Sequence, residues 1–197
     1  MDRDKLCNLS LTEVAGLIKS REVSPVEVVS AQLDRIEALD PGLKSYALVM
    51  GDAAMATAKA AEQEILAGEY RGELHGVPVA VKDLYFTKGV RTMGGTAVLS
   101  DHVPDHDAEV VARLRSAGAV IVGKLNLTEG AMGGYHPDLD VPINPWAADR
   151  WSGASSSGSG SSASSGSRAA ASRTSTLPVT TSAIRRVRYS RRREISR

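Results

Sequence analysis

A chain of 197 residues with 42% hydrophobic residues is long enough for one domain with a real core, and its 4% aromatic content requires that core to be aliphatic and alanine-rich. The formal net charge of +1 joins two unlike parts: residues 151–197 hold nine arginines and one acid (Glu194), net +8, which leaves −7 for residues 1–150. Cys7 is the only cysteine, which excludes an internal disulfide and fits a reducing compartment, while a polar Met1–Asn8 and the lack of any apolar run near the roughly 20 residues of a membrane span point to a soluble cytoplasmic protein.

Ser10-Leu11-Thr12-Glu13 has the form of a capping box, and Leu11, Val14, Ala15, Leu17 and Ile18 follow at helical spacing. A second helix start combines Ser24 as cap, Pro25 at the first helical position and Glu27 three residues after the cap. Val29, Leu33, Ile36 and Leu39 line one face of that helix, and Asp40-Pro41-Gly42 is expected to stop it. Tyr46–Met50 is apolar and short enough for a strand; Asp52 then opens an alanine-rich helix that runs to about Ala67, where Gly68 ends it.

Gly76-Val77-Pro78-Val79-Ala80-Val81-Lys82-Asp83 reads as a turn and a short strand that ends on a lysine. Val77, Val79 and Val81 are β-branched and Ala80 is small, so both faces are apolar, as in a strand buried on both sides of an α/β sheet. An ammonium at such a strand end is either paired with a carboxylate, and Asp83 is adjacent, or pushed towards the neutral amine that a general base needs.

Thr87–Ser100 contains Gly89, Gly94 and Gly95 and reads as loop, with Met93-Gly94-Gly95-Thr96 a close-approach turn against which a ligand could sit. Asp107 is expected to cap a helix faced by Val110, Val111 and Leu114; Gly118 closes it, and Ala119–Val122 forms a buried strand lying beside Val77–Val81. Gly123–Glu129 leaves the C-terminal end of that strand, where open α/β sheets place ligands, and Lys124 is expected to be a structural charge paired with Glu129. Ser152–Gly160 is a hydroxyl-and-glycine stretch that by composition is a flexible linker, or else a loop presenting N–H groups and hydroxyls to a substrate. From residue 161 to 197 serine, alanine, threonine and arginine lack apolar periodicity, so this segment is expected to be a disordered tail.

Taken together, the Gly76–Asp83 strand, the helix that follows Asp107, Ala117–Glu129, Asn144-Pro145-Trp146 and the Ser155-Ser156 loop resemble the amidase signature family over roughly residues 5–160, close to the N-terminal third of a typical member. The resemblance implies an α/β fold for residues 1–160, with N-terminal helices packed on a mixed sheet flanked by helices and the family fold incomplete. It implies an enzyme that hydrolyses amide C–N bonds with a lysine, a serine on a cis peptide bond and a nucleophilic serine, and it implies no cofactor and no metal. By motif, Lys82 corresponds to the lysine and Ser155 to the cis serine, with Ser156 beside it as a substrate contact. Neutral Lys82 would accept a proton from Ser155, which would accept one from the nucleophile; an acyl-enzyme forms, the amine leaves and water completes the hydrolysis.

Where many members have Gly-Gly-Ser-Ser-Gly-Gly-Ser, this chain has Gly153-Ala154-Ser155-Ser156-Ser157-Gly158-Ser159. The family's next block, Asp-Thr-Gly-Gly-Ser-Ile, carries the nucleophile and the oxyanion-hole N–H groups, and it has no counterpart here. The window Thr174–Arg185 offers Thr180, Thr181 and Ser182 without the glycines, so no nucleophile is assigned. The switch to serine and arginine, with no lysine after Lys124, reads as a departure from the reading frame close to Gly160, and the chain is expected to be an inactive fragment. The expected partner is a small-molecule amide, without a membrane; the outer face of the Ser24 helix could pair with a second copy. Two alternatives are the glutamine-hydrolysing component of a tRNA-dependent amidotransferase, which uses the same motifs, and a nucleic-acid-binding protein that uses the seven arginines of Arg185–Arg197. Against the second, that tail has no partner fold and only Tyr189 to stack on a base.

Overall fold

The computed structural model describes residues 2–165. The rest of the Ser/Arg-rich tail, the Thr174–Arg185 window and the Arg185–Arg197 run lie outside the described residues. A five-residue helix, α1 (Arg3–Cys7), capped by Asp2, opens the chain. The two capping boxes then start α2 (Leu11–Ser20) and α3 (Pro25–Leu43): Ser10 N donates to the Glu13 carboxylate (2.7 Å) while Glu13 N donates to Ser10 Oγ (3.3 Å), and Ser24 and Glu27 repeat the exchange.

The expected stop at Asp40-Pro41-Gly42 lies instead inside the last turn of α3, because a proline there removes only one helical N–H near the end. The helix ends at Leu43, and Lys44 takes the left-handed conformation (φ 54°). The Asp40 carboxylate then accepts from Ser45 N (2.7 Å) and Tyr46 N (3.2 Å), turning the chain into β1 (Tyr46–Val49). Next comes α4 (Gly51–Leu66), whose buried Ala54, Ala58 and Ala61 let it lie close to its neighbours.

The remaining elements are β2 (Pro78–Lys82), α5 (Glu109–Ser116), β3 (Val120–Leu125) and α6 (Ser157–Ser164). The sheet order is β1-β3-β2, with β3 parallel to β2 (Val79 opposite Ile121, Val81 opposite Lys124) and antiparallel to β1 (Leu48 opposite Lys124). The expected neighbours are therefore adjacent, in a mixed sheet. On one face Val79, Val81 and Ile121 pack with Val111 and Leu114 of α5; on the other, Ala80, Val120, Val122 and Leu125 meet Val29 of α3 and Ala54 and Ala58 of α4. Covered on both faces and flanked on both edges, β3 is buried at every position. Full burial of one aliphatic side chain stabilises by about 1.5–3 kcal/mol, so this strand is the centre of the core.

His75 anchors the approach to β2. Its buried ring packs on Gly118 (φ 80°), where a Cβ would stand 2.4 Å from His75 Cδ2. Nδ1 accepts from Arg71 N (3.2 Å), which leaves the proton on Nε2, 2.9 Å from a Glu64 carboxylate oxygen.

Further local expectations change. Asp107 does not cap α5, whose cap position is Ala108 without a side-chain bond; its carboxylate accepts from Lys88 N (2.7 Å) and pairs with Arg115 (3.2 Å), a charged partner that the cap site lacks. The Ser152–Gly160 stretch is not a linker, since α6 starts within it, and residues 161–164, expected in the disordered tail, complete that helix because Ser161 is buried in hydrogen bonds with Ser45 and Ile143. Among the described residues no helix is long and apolar enough to cross a membrane.

Candidate active site

Side chains alternate along a strand, so Lys82 leaves the end of β2 on the face of Ala80, and Lys124, opposite Val81, leaves on the other face. Lys82 Nζ donates to Ser155 Oγ at 2.7 Å. Asp83 is not its partner, and among the described residues Lys82 has no carboxylate at ion-pair distance. Burial without a counter-charge pushes the Lys82 ammonium below its usual range, towards the neutral amine.

Ser155 follows a cis Ala154–Ser155 peptide bond, and its carbonyl accepts from Thr128 N (3.2 Å). The segment behind it is held by close backbone approach. Gly158 N donates to Asn126 O (2.9 Å), and Asn126 N donates to Ser45 O (2.8 Å). A Cβ at Gly158 would stand 2.3 Å from Ser45 O and 2.6 Å from Asn126 N, so only glycine fits. Ser161 Oγ donates to Ile143 O (2.6 Å) and accepts from Ser45 Oγ (2.9 Å). Small residues and hydroxyls look like a linker by composition, yet here they let α6 dock where the chain enters β1 at Ser45 and leaves β3 at Asn126. Ser156, at the cap position of α6, is exposed beside Ser155.

Lys124 does not pair with Glu129. It is fully buried, with Nζ 3.1 Å from Asp83 Oδ1 and its directed hydrogen bonds going to Thr92 Oγ1 (2.6 Å) and Tyr85 O (3.0 Å). Asp83 follows the last residue of β2, two places beyond Val81, which pairs with Lys124 in the parallel ladder, whereas Glu129 lies beyond β3 in a 3-10 turn. Burial pushes the Lys124 ammonium down and the Asp83 carboxylate draws it back up.

The Met93–Thr96 turn approaches the chain's own backbone: a Cβ at Gly95 (φ 73°) would stand 2.9 Å from Leu127 O and 3.0 Å from Thr128 O. The glycine pair is thus the sequence signal for Thr128 as the support of Ser155. Local spacing marks Asp83 only as a neighbour of Lys82, not as the partner of Lys124, and it does not mark Thr92, which accepts from Lys124, or Asn126, which donates to Lys44 O (2.9 Å), because each acts across the sheet.

A profile of the Amidase family matches residues 27–176. Over 156 residues the chain is 54% identical to the "Putative amidase AmiD" of Mycobacterium tuberculosis (strain ATCC 25618 / H37Rv), a match that covers 79% of this chain and 33% of that protein. It is 47% identical over 154 residues to a glutamyl-tRNA(Gln) amidotransferase component from Anaeromyxobacter dehalogenans (strain 2CP-C), covering 77% and 31%. Among solved structures, the native peptide amidase of Stenotrophomonas maltophilia superposes with a TM-score of 0.71 at 31% identity, over 79% of this chain and 34% of that one. The chain spans about a third of the length of the curated relatives it matches.

Proposed function

This chain belongs to the amidase signature family, and from that premise we propose that it supplies the proton-handling part of an amide C–N hydrolase, with Lys82 as base, Ser155 as relay and Ser156 as a substrate contact. One contact carries this: Lys82 Nζ lies 2.7 Å from Ser155 Oγ, and no carboxylate among the described residues competes for the amine. A neutral amine at that distance takes the Ser155 proton, and Ser155 then takes a proton from the hydroxyl that attacks the amide carbonyl. Returned along the same path, the proton protonates the leaving amine, and water, deprotonated the same way, releases the acyl group. The attacking hydroxyl is assigned to no residue of 1–197, so these residues by themselves are proposed to be inactive. The substrate is a small-molecule amide, with glutamine in a tRNA-linked system as the second reading, favoured by the 47% likeness to an amidotransferase component.

The test is a chimera in which residues 1–164 of this chain replace the matching segment of the 54%-identical mycobacterial relative, assayed on aliphatic and aromatic amides and on glutamine. Lys82→Ala and Ser155→Ala should each lower kcat by about 100- to 10,000-fold, the range of general acid–base catalysis. Turnover that survives both substitutions sinks the assignment, and a preference for glutamine moves it to the second reading.

A further inference from the structure

We propose that the buried Asp83–Lys124 pair is a positioning device, which holds both ends of the Lys82–Ser155 contact in place. The inference rests on the role given to Lys82 above. A buried ion pair is a poor source of stability, because desolvation offsets its attraction and well-packed apolar residues often do as well. Its geometry offers another use.

On the Lys82 side, five hydrogen bonds fix the backbone that follows β2. Asp83 N donates to Leu125 O (2.8 Å), Met93 N to Asp83 Oδ2 (2.9 Å), Gly94 N to Asp83 O (2.9 Å), Lys124 Nζ to Tyr85 O (3.0 Å) and Tyr85 N to Lys82 O (3.0 Å). Lys82 has a flexible four-carbon stem, so the direction of its Cα–Cβ bond, set by this turn, decides where Nζ can reach. On the Ser155 side, the Met93-Gly94 segment held by Asp83 continues into Gly95, which packs on the Thr128 carbonyl; Gly94 O accepts from Gly130 N (2.9 Å). Thr128 N in turn donates to Ser155 O. Two charged groups on the face opposite to Lys82 thus locate Lys82 through one turn and Ser155 through another. Thr92, between them, accepts from Lys124.

The experiment measures, on the full 197-residue chain, trace acetylation of individual lysines against pH, read by peptide mass spectrometry, with exposed Lys59 as internal standard. In the wild type the midpoint for Lys82 should lie below that of Lys59. The double variant Asp83→Asn/Lys124→Met removes both charges together and keeps volume near both sites, so it changes position without leaving a lone buried charge. Its Lys82 midpoint should rise to that of Lys59, as the freed side chain returns to solvent. Thr92→Val, which removes only one acceptor of Lys124, should raise it by less, and it serves if the double variant does not fold by circular dichroism. A wild-type midpoint equal to that of Lys59 removes the functional role of Lys82 and this inference with it. A depressed wild-type midpoint that stays depressed in a folded double variant, or in Thr92→Val, overturns the inference alone; a lower melting temperature with an unmoved midpoint marks the pair as merely structural.

Discussion

Lys82 is delivered by the β2–β3 pair and Ser155 by the segment leading into α6, and the two regions are held by different physics. In the first, valine, isoleucine and leucine side chains pack on both faces of the sheet. In the second, side chains hardly enter: glycine at 158 lets one backbone touch another, and serine hydroxyls at 45 and 161 bridge to a carbonyl. The first region resists being emptied, and the second resists being filled. A site that needs one rigid and one finely placed partner is thus made from two kinds of contact.

Substitutions of opposite sense separate the two. The largest effect is expected from Leu125→Ala, which empties a fully buried position in the central strand and should cost about 2–5 kcal/mol in chemical denaturation; a cost no greater than that of a surface change would contradict the emphasis on β3. Next comes Gly158→Ala, which adds a single methyl where 2.3 Å is available and should cost about 1–3 kcal/mol, the usual range for overpacking. It should also raise the Lys82 labelling midpoint, because Ser155 moves with α6, and an unchanged melting curve would show that α6 is not docked as described. The smallest effect is a pH dependence confined to the sheet side, where His75 is the titratable anchor. Burial holds the folded His75 pKa below its ordinary 6.5. The unfolded chain then binds the proton first, so stability is complete above about that pH, falls as pH drops below it, and levels off below the depressed folded value. His75→Gln should flatten this stretch of the stability-versus-pH curve, and a wild-type curve already flat there would count against it.

The same division governs what can be read in the sequence. Capping boxes at Ser10 and Ser24, and the β-branched runs of β2 and β3, are local signals, and each marks a real element; β3, though, runs on to Leu125, so Gly123 and Lys124, expected beyond the strand end, lie within it, paired with β1 and β2. Lys82 and Ser155 are legible only through family motifs, since 73 positions separate them and no periodicity connects them. Two of the features that differ from expectation, Lys124 and α6, share a cause. Nearness in sequence matches Lys124 with Glu129, whereas its partner Asp83 is near only once β2 and β3 are in register. The α6 residues have a linker's composition, and their order depends on Ser45 and Asn126, which sequence proximity cannot supply.

The strand order β1-β3-β2 also sets a timetable for assembly. The central strand is the last of the three to be synthesised: Tyr46 waits 79 residues for Leu125, and Val79 waits 42 for Ile121. No hairpin can form early as a nucleus, and such non-local pairing slows folding because loop closure precedes any gain in contacts. Until residue 125 has emerged, β1 and β2 are apolar segments with unpaired edges, the kind of surface that joins to other chains. A nascent chain from which residues 46–82 have emerged while residue 125 has not therefore exposes both of these edges at once.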